Sequence, residues 1–399
     1  MRPGVGVTLV CRTSEGNVRP VQWLGLIVAA ALIGAGPAFA NDADICEDGT
    51  NDDATIAACT RVIQKKLVKP SGLSRVYSKR GVAYHNKRDY DRAIADYSQS
   101  LRLFPKDAIN RLNRCDAYLV KADYARALAD CNEAIRIDPK SSGAYQSRGE
   151  AYHAQGDYAR AVANYNESLR LNPDRVNGYI NRGSARWALG EHDRAVEDFE
   201  QAIKLDPNDA HAYNWRGVAW MKKDDLDRAL ADFERADILQ PGLSSAIANR
   251  GEVLRMKGDL DRSLVLLDRV IQMVPENPAY YEQRGLVWRL KGDLDRAIAD
   301  FDRAIRTDPE FASGYVGRGL ALEGKGELGR AKADYKKAIA LPAVRQMKAA
   351  GAEAVIEQRS VTREQATARA RLAVLEGAGD LRAVPPSNAV NTPVRRVAL

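Results

Sequence analysis

The sequence predicts an all-helical array of helix-turn-helix repeats, and three observations carry that prediction. A glycine returns every 34 residues, at Gly81, Gly149, Gly183, Gly217, Gly251, Gly285 and Gly319, with Cys115 in the one vacant slot. Placing it at position 8 divides the chain, without insertion or deletion, into frames 74–107, 108–141, 142–175, 176–209, 210–243, 244–277, 278–311 and 312–345. Position 32 is then proline in seven frames, from Pro105 to Pro309, and position 16 is acidic in all eight. Such a unit is too small to bury its own apolar face, so neighbours must stack to make a continuous core. The 399-residue length would otherwise suggest two or three globular domains.

The first element, residues 1–40, reads as a secretory signal. Arg12 and Arg19 precede an apolar run from Trp23 to Gly34, and Ala38 and Ala40 set a cleavage point before Asn41. Removal after Ala40 places the mature chain in a periplasm or outside the cell. An uncleaved anchor would need about 20 apolar residues, and Gly34, Gly36 and Pro37 break the run. No other segment offers an integral membrane span. The net charge of +7 falls to +5 without these residues, which hold three arginines and one glutamate. Acidic and basic side chains are interspersed along every repeat, so no electrostatic footprint for nucleic acid stands out.

Residues 41–73 are expected to form a degenerate capping repeat, its second helix running from about Asp53 to Lys66, followed by a short insertion around Pro70 and Gly72. Four cysteines remain after the signal: Cys46, Cys59, Cys115 and Cys131. An even number in an oxidising compartment suggests pairing. Cys59 and Cys131 stand at the same point of a second helix, and Cys115 replaces the packing glycine of the Cys131 repeat. Small residues there mark a close approach of two antiparallel helices, within the roughly 5.5 Å Cα separation that a disulfide needs. The pairs expected are Cys115 with Cys131 and Cys46 with Cys59, the alternative being four reduced, buried small side chains.

Through residues 74–345 each recurrence has a physical task. Glycine at position 8 and alanine at 20, from Ala93 to Ala331, permit close helix approach, and proline at 32 ends the second helix. The acid at 16 can accept amide hydrogen bonds at the start of that helix. Arginine fills position 7 in every frame, from Arg80 to Arg318, and position 19 from Arg92 to Arg330. Because position 23 is aspartate in six frames, structural pairing between helices is the reading preferred to a nucleic-acid stripe, with Asn164 and Leu266 leaving Arg148 and Arg250 less neutralised. Residues 346–378 should form a helical cap with its helix from about Thr362 to Glu376. Residues 379–399, with Pro385, Pro386 and Pro393, lack the apolar bulk to fold.

Tyrosine at position 4 (Tyr77, Tyr145, Tyr179, Tyr213, Tyr281, Tyr315), small residues at 8, 20 and 27, an aromatic at 24 and proline at 32 together make a pattern that resembles the tetratricopeptide repeat family. The resemblance covers residues 74–345 and implies a right-handed superhelical solenoid. It also implies protein partners, bound in a concave groove lined by first helices at about positions 2, 5, 6, 9, 12 and 13. At those positions Ile180, Trp187, Trp215 and Met221 suggest an apolar anchor site, with Lys222, Arg255 and Arg289 adding positive charge. The competing reading is that Trp187 and Trp215 pack between repeats. No repeat joins lysine at 5 to asparagine at 9, so the family's carboxylate-clamp arrangement is not supported.

No G-x-S-x-G, H-E-x-x-H or G-x-x-x-x-G-K-[ST] occurs, no Cys-x-x-Cys motif occurs, and His85, His153, His192 and His211 lie on separate repeats. The sequence thus reads as that of a non-enzymatic periplasmic adaptor without cofactor or metal. Its alternative is an envelope-assembly factor that binds peptidoglycan or membrane-associated enzymes through a cationic outer surface.

Overall fold

The computed structural model describes residues 37–65, 68–341 and 352–377, all helix and connecting turn without a strand among them. They divide into two compact units after Gly178. The first contains α1 (Pro37–Asp48), α2 (Asp52–Lys65), α3 (Pro70–Asn86), α4 (Tyr90–Leu103), α5 (Ala108–Val120), α6 (Tyr124–Ile137), α7 (Ser142–Ala154) and α8 (Tyr158–Leu171). The division falls within α9 (Val176–Leu189). The second continues with α10 (His192–Leu205), α11 (Ala210–Lys222), α12 (Leu226–Leu239), α13 (Ser244–Met256), α14 (Leu260–Met273), α15 (Pro278–Leu290), α16 (Leu294–Thr307), α17 (Ala312–Gly324), α18 (Leu328–Ala340) and α19 (Ala352–Leu375). Of the expected signal only residues 37–40 are described, as the start of α1; the expected tail, 379–399, lies outside the described residues.

Every frame is one antiparallel hairpin, and its interior explains the 34-residue glycine. A Cβ built on Gly81, Gly149, Gly183, Gly217, Gly285 or Gly319 would lie 2.6–3.0 Å from a ring carbon of Tyr97, Tyr165, Phe199, Phe233, Phe301 or Tyr335, the position-24 side chain of the same hairpin. The glycine therefore makes room for that ring. In the α5–α6 hairpin both partners change together: Cys115 and Cys131, each fully buried, meet where glycine and ring stand elsewhere, with Cα atoms 5.7 Å apart. Cys46 and Cys59 face each other across α1 and α2 at 4.9 Å.

Helix starts follow the acid at position 16, with a distinction the sequence reading did not draw. Asp89, Asp123, Asp157, Asp225, Asp259 and Asp293 each accept the amide of the arginine three residues on, whereas Glu191 and Glu327 make no such cap. The extra methylene of glutamate carries its carboxylate past the amide, and both keep the pairing with the position-19 guanidinium that the aspartates also make. The turn before it needs a left-handed residue at position 15. Five frames supply glycine there, and Arg88, Ala122 and Asp224 adopt φ of +61°, +57° and +62°.

The two arginine columns are structural. Position 7 forms a two-pronged pair with the position-23 aspartate of its own hairpin, as in Arg216 with Asp232 (2.8 and 2.8 Å) and Arg284 with Asp300 (2.8 and 2.6 Å). The exceptions expected at Asn164 and Leu266 resolve differently: Arg148 finds only the amide oxygens of Asn164 and Asn132, while Arg250 takes Glu234 at 2.9 Å. Position 19 pairs with the capping acid and covers an aromatic at position 11, with Arg228 over Trp220 at 4.2 Å and Arg296 over Trp288 at 4.6 Å. A third ladder joins Lys121, Lys223, Lys257, Lys291 and Lys325 to Asp91, Asp193, Asp227, Asp261 and Asp295, each 30 residues back. For Lys87 the partner is Asp53, 34 residues back. The four extra residues are a helical turn around Pro70 and Gly72 at the start of α3, which has 17 residues against 13 in α5.

Candidate partner-binding groove

Within each unit the first helices of successive hairpins touch directly, α3 with α5, α5 with α7, α11 with α13, α13 with α15 and α15 with α17. The inner face that the sequence pattern assigns to a partner, at positions 2, 5, 6, 9, 12 and 13 of these helices, holds mostly half-buried and buried side chains.

In the second unit this face holds all seven residues read from the sequence, and the structure separates them. Ile180 is 8% exposed and Trp187 7% exposed, so both are packing residues, and neither offers an area to a partner as placed; this corrects their reading as contact surface. Trp187 stands 6.0 Å from the His192 ring. Trp215 is half-buried and stacks on Phe199, centroids 6.2 Å apart and planes 16° from parallel; further along the same helix Met221 is half-buried and Lys222 exposed. Arg255 is also corrected: it is 5% exposed and pairs through two nitrogens with Glu252 at 2.6 and 2.8 Å. Arg289 occupies the same position one repeat on, half-buried, with no hydrogen bond or ion pair to a described residue and its Nε shut away from solvent. Burial, then the nearby Arg255 charge, pulls its pKa below the usual arginine value.

Carboxyls line the same stretch. Burial, reinforced by Glu364 and Glu252, pushes Glu282 up to about 8, and burial pushes Glu364 on α19 up to about 7. Glu323 is held by Arg371 of α19 and accepts the Tyr335 hydroxyl at 2.9 Å. Among the described side chains, those with a buried polar atom and no hydrogen bond of their own are Thr55, Trp187, Gln283 and Arg289. The last three stand on first helices at inner-face positions 12, 6 and 12.

The first unit shows a feature the sequence reading missed. Val82, Ile109 and Val120, at inner-face positions 9, 2 and 13, are 38, 71 and 53% exposed. They stand in the same set of positions as the residues read from the sequence, which does not show which apolar side chains there stay exposed. Beside them Asp116, pushed up to about 6 by burial, accepts the Ser147 hydroxyl at 2.6 Å. No group of three or more histidines, cysteines and acids placed to hold a metal occurs among the described residues, and no helix there is long and apolar enough to cross a membrane.

Comparison with known proteins agrees with this architecture. Family models described as tetratricopeptide repeat match residues 74–107, 131–163, 180–244, 249–310 and 291–346, and one described as TPR repeat matches 149–190. No curated protein matches the chain in sequence. Among solved structures it is similar to a tetratricopeptide repeat protein from Parabacteroides merdae, 22% identical, TM-score 0.51, covering 64% of this chain and 98% of that one. It is also similar to the APC/C hetero-tetramer Cut9–Hcn1, 18% identical, TM-score 0.55, covering 71% of this chain. This chain spans 55% of that chain's length.

Proposed function

Because the chain belongs to the tetratricopeptide repeat family, we propose that it is a non-catalytic scaffold of the periplasm that holds a partner polypeptide against the inner face of its second unit. The carrying observation is where bonding capacity is left unmet. On the outer layer arginines pair with capping acids and lysines with aspartates one repeat back, so that surface neutralises itself. On the inner face Trp215 and Met221 keep apolar area open, and Gln283 and Arg289 keep polar atoms without partners. The Gln283 and Arg289 atoms so left are themselves closed to solvent, and it is the rest of the half-buried Arg289 guanidinium, unpaired among the described residues, that a ligand carboxylate would meet there. The self-neutralised exterior also weighs against the alternative in which a cationic outer surface grips peptidoglycan or membrane-associated enzymes.

Export is supported by the composition of the first forty residues and by two cysteine pairs at bonding distance. The disulfides would staple the first unit, where the array begins. Replacing Trp215 and Met221 with alanine tests the groove: retained capture of a partner polypeptide by the double variant overturns the reading, and capture abolished only by high salt with the groove intact favours the cationic exterior.

A further inference from the structure

We propose that Arg289 is the receptor for an acidic side chain of the partner polypeptide, so that the segment bound carries an apolar residue for Trp215 and Met221 and a carboxylate downstream of it. This rests on the groove reading above and adds the partner's chemistry.

Arg255 and Arg289 occupy equivalent places on α13 and α15, and their fates differ for a reason visible one turn back. Three residues before Arg255 stands Glu252, which takes its guanidinium with two hydrogen bonds. Three residues before Arg289 stands Leu286, which is buried and apolar. Of the carboxylates in this stretch, Glu323 is committed to Arg371 and the Tyr335 hydroxyl and Glu252 to Arg255, while Glu282 and Glu364 make no hydrogen bond or ion pair with Arg289. A guanidinium cannot discard its charge as a lysine can, and leaving one half-buried without a partner is costly. An arginine fork matches a carboxylate with two parallel hydrogen bonds. First helices continue on both sides of α15, which suits a side chain of a passing segment better than a chain terminus.

The test is to pan a displayed random-peptide library on the full chain and measure the enriched peptides, by fluorescence anisotropy, against wild type, Arg289→Gln and Trp215→Ala. Enrichment of an apolar residue followed by aspartate or glutamate, with affinity about tenfold to a hundredfold weaker for Arg289→Gln, is the expected result. Binders without acids, or binders indifferent to Arg289→Gln, overturn the inference while leaving the groove in place. Binders indifferent to Trp215→Ala as well, or no binders, defeat the groove reading itself. A second measurement needs no ligand: Arg289→Met removes an unpaired desolvated charge, so its denaturation midpoint should rise as binding of acidic peptides falls. A lower midpoint would make Arg289 a structural residue and sink the proposal.

Discussion

Exchange of the α5–α6 cysteines for the pair used elsewhere tests the packing logic of the repeat. Cys115 carries a Cβ at the place where, in six sister hairpins, an added Cβ would lie 2.6–3.0 Å from the ring at position 24. A ring at 131 and a side chain at 115 therefore cannot share that space. Cys131→Tyr alone, kept reduced, should overpack the hairpin and lose about 1–3 kcal/mol. Adding Cys115→Gly removes the obstruction, so the double variant should recover at least the stability of the reduced wild type, a coupling of about 2 kcal/mol between the sites. With the disulfide formed, closing a 16-residue separation adds about 3 kcal/mol to wild type in the loop-entropy account. Urea unfolding followed by circular dichroism, with hydrogen exchange on α5 and α6 because a repeat array does not melt as one unit, reads both. A reduced Cys131→Tyr protein as stable as the double variant, within about 0.5 kcal/mol, refutes the reasoning.

Ala122→Gly should raise stability by about 0.5–1 kcal/mol, since alanine at φ +57° stands where five frames use glycine; an unchanged thermal midpoint counts against it. Asp225→Ala should cost about 1 kcal/mol by removing a helix cap, and Glu191→Ala clearly less, because Glu191 makes no cap hydrogen bond; equal losses in urea would show that the distinction is empty. Glu282 has a folded pKa of about 8 against an ordinary 4.5, so the folded chain binds its proton more tightly than the unfolded chain. Stability from this group is full below pH 4.5 and is lost as pH rises through about 8. Glu282→Gln should therefore gain on wild type between pH 5 and pH 9, by up to about 4 kcal/mol, and a gap that stays constant or closes over that range contradicts the assignment.

The array was legible because packing repeats itself: the period-34 glycine, the position-7 arginine and the position-23 aspartate recur wherever the same two helices meet. The inner face was less legible because no packing rule fixes its residues. Trp187 and Trp215 are the same side chain on neighbouring first helices, yet their inner-face positions differ, 12 against 6, and only the first is buried. The contrast between Arg255 and Arg289 was written in Glu252 and Leu286, but reading it requires knowing that Arg255 is buried and Arg289 half-buried. Ala122, by contrast, hides a left-handed turn behind an ordinary residue, visible only against its glycine counterparts.

The central claim, that a polypeptide lies on the inner face of the second unit, is tested most directly by a photo-crosslinking residue placed in living cells at Met221, on that face, or at Ala231, on an outer helix. Covalent adducts with a partner from Met221 and none from Ala231 are the predicted result. Adducts from Ala231 with none from Met221 would contradict the account.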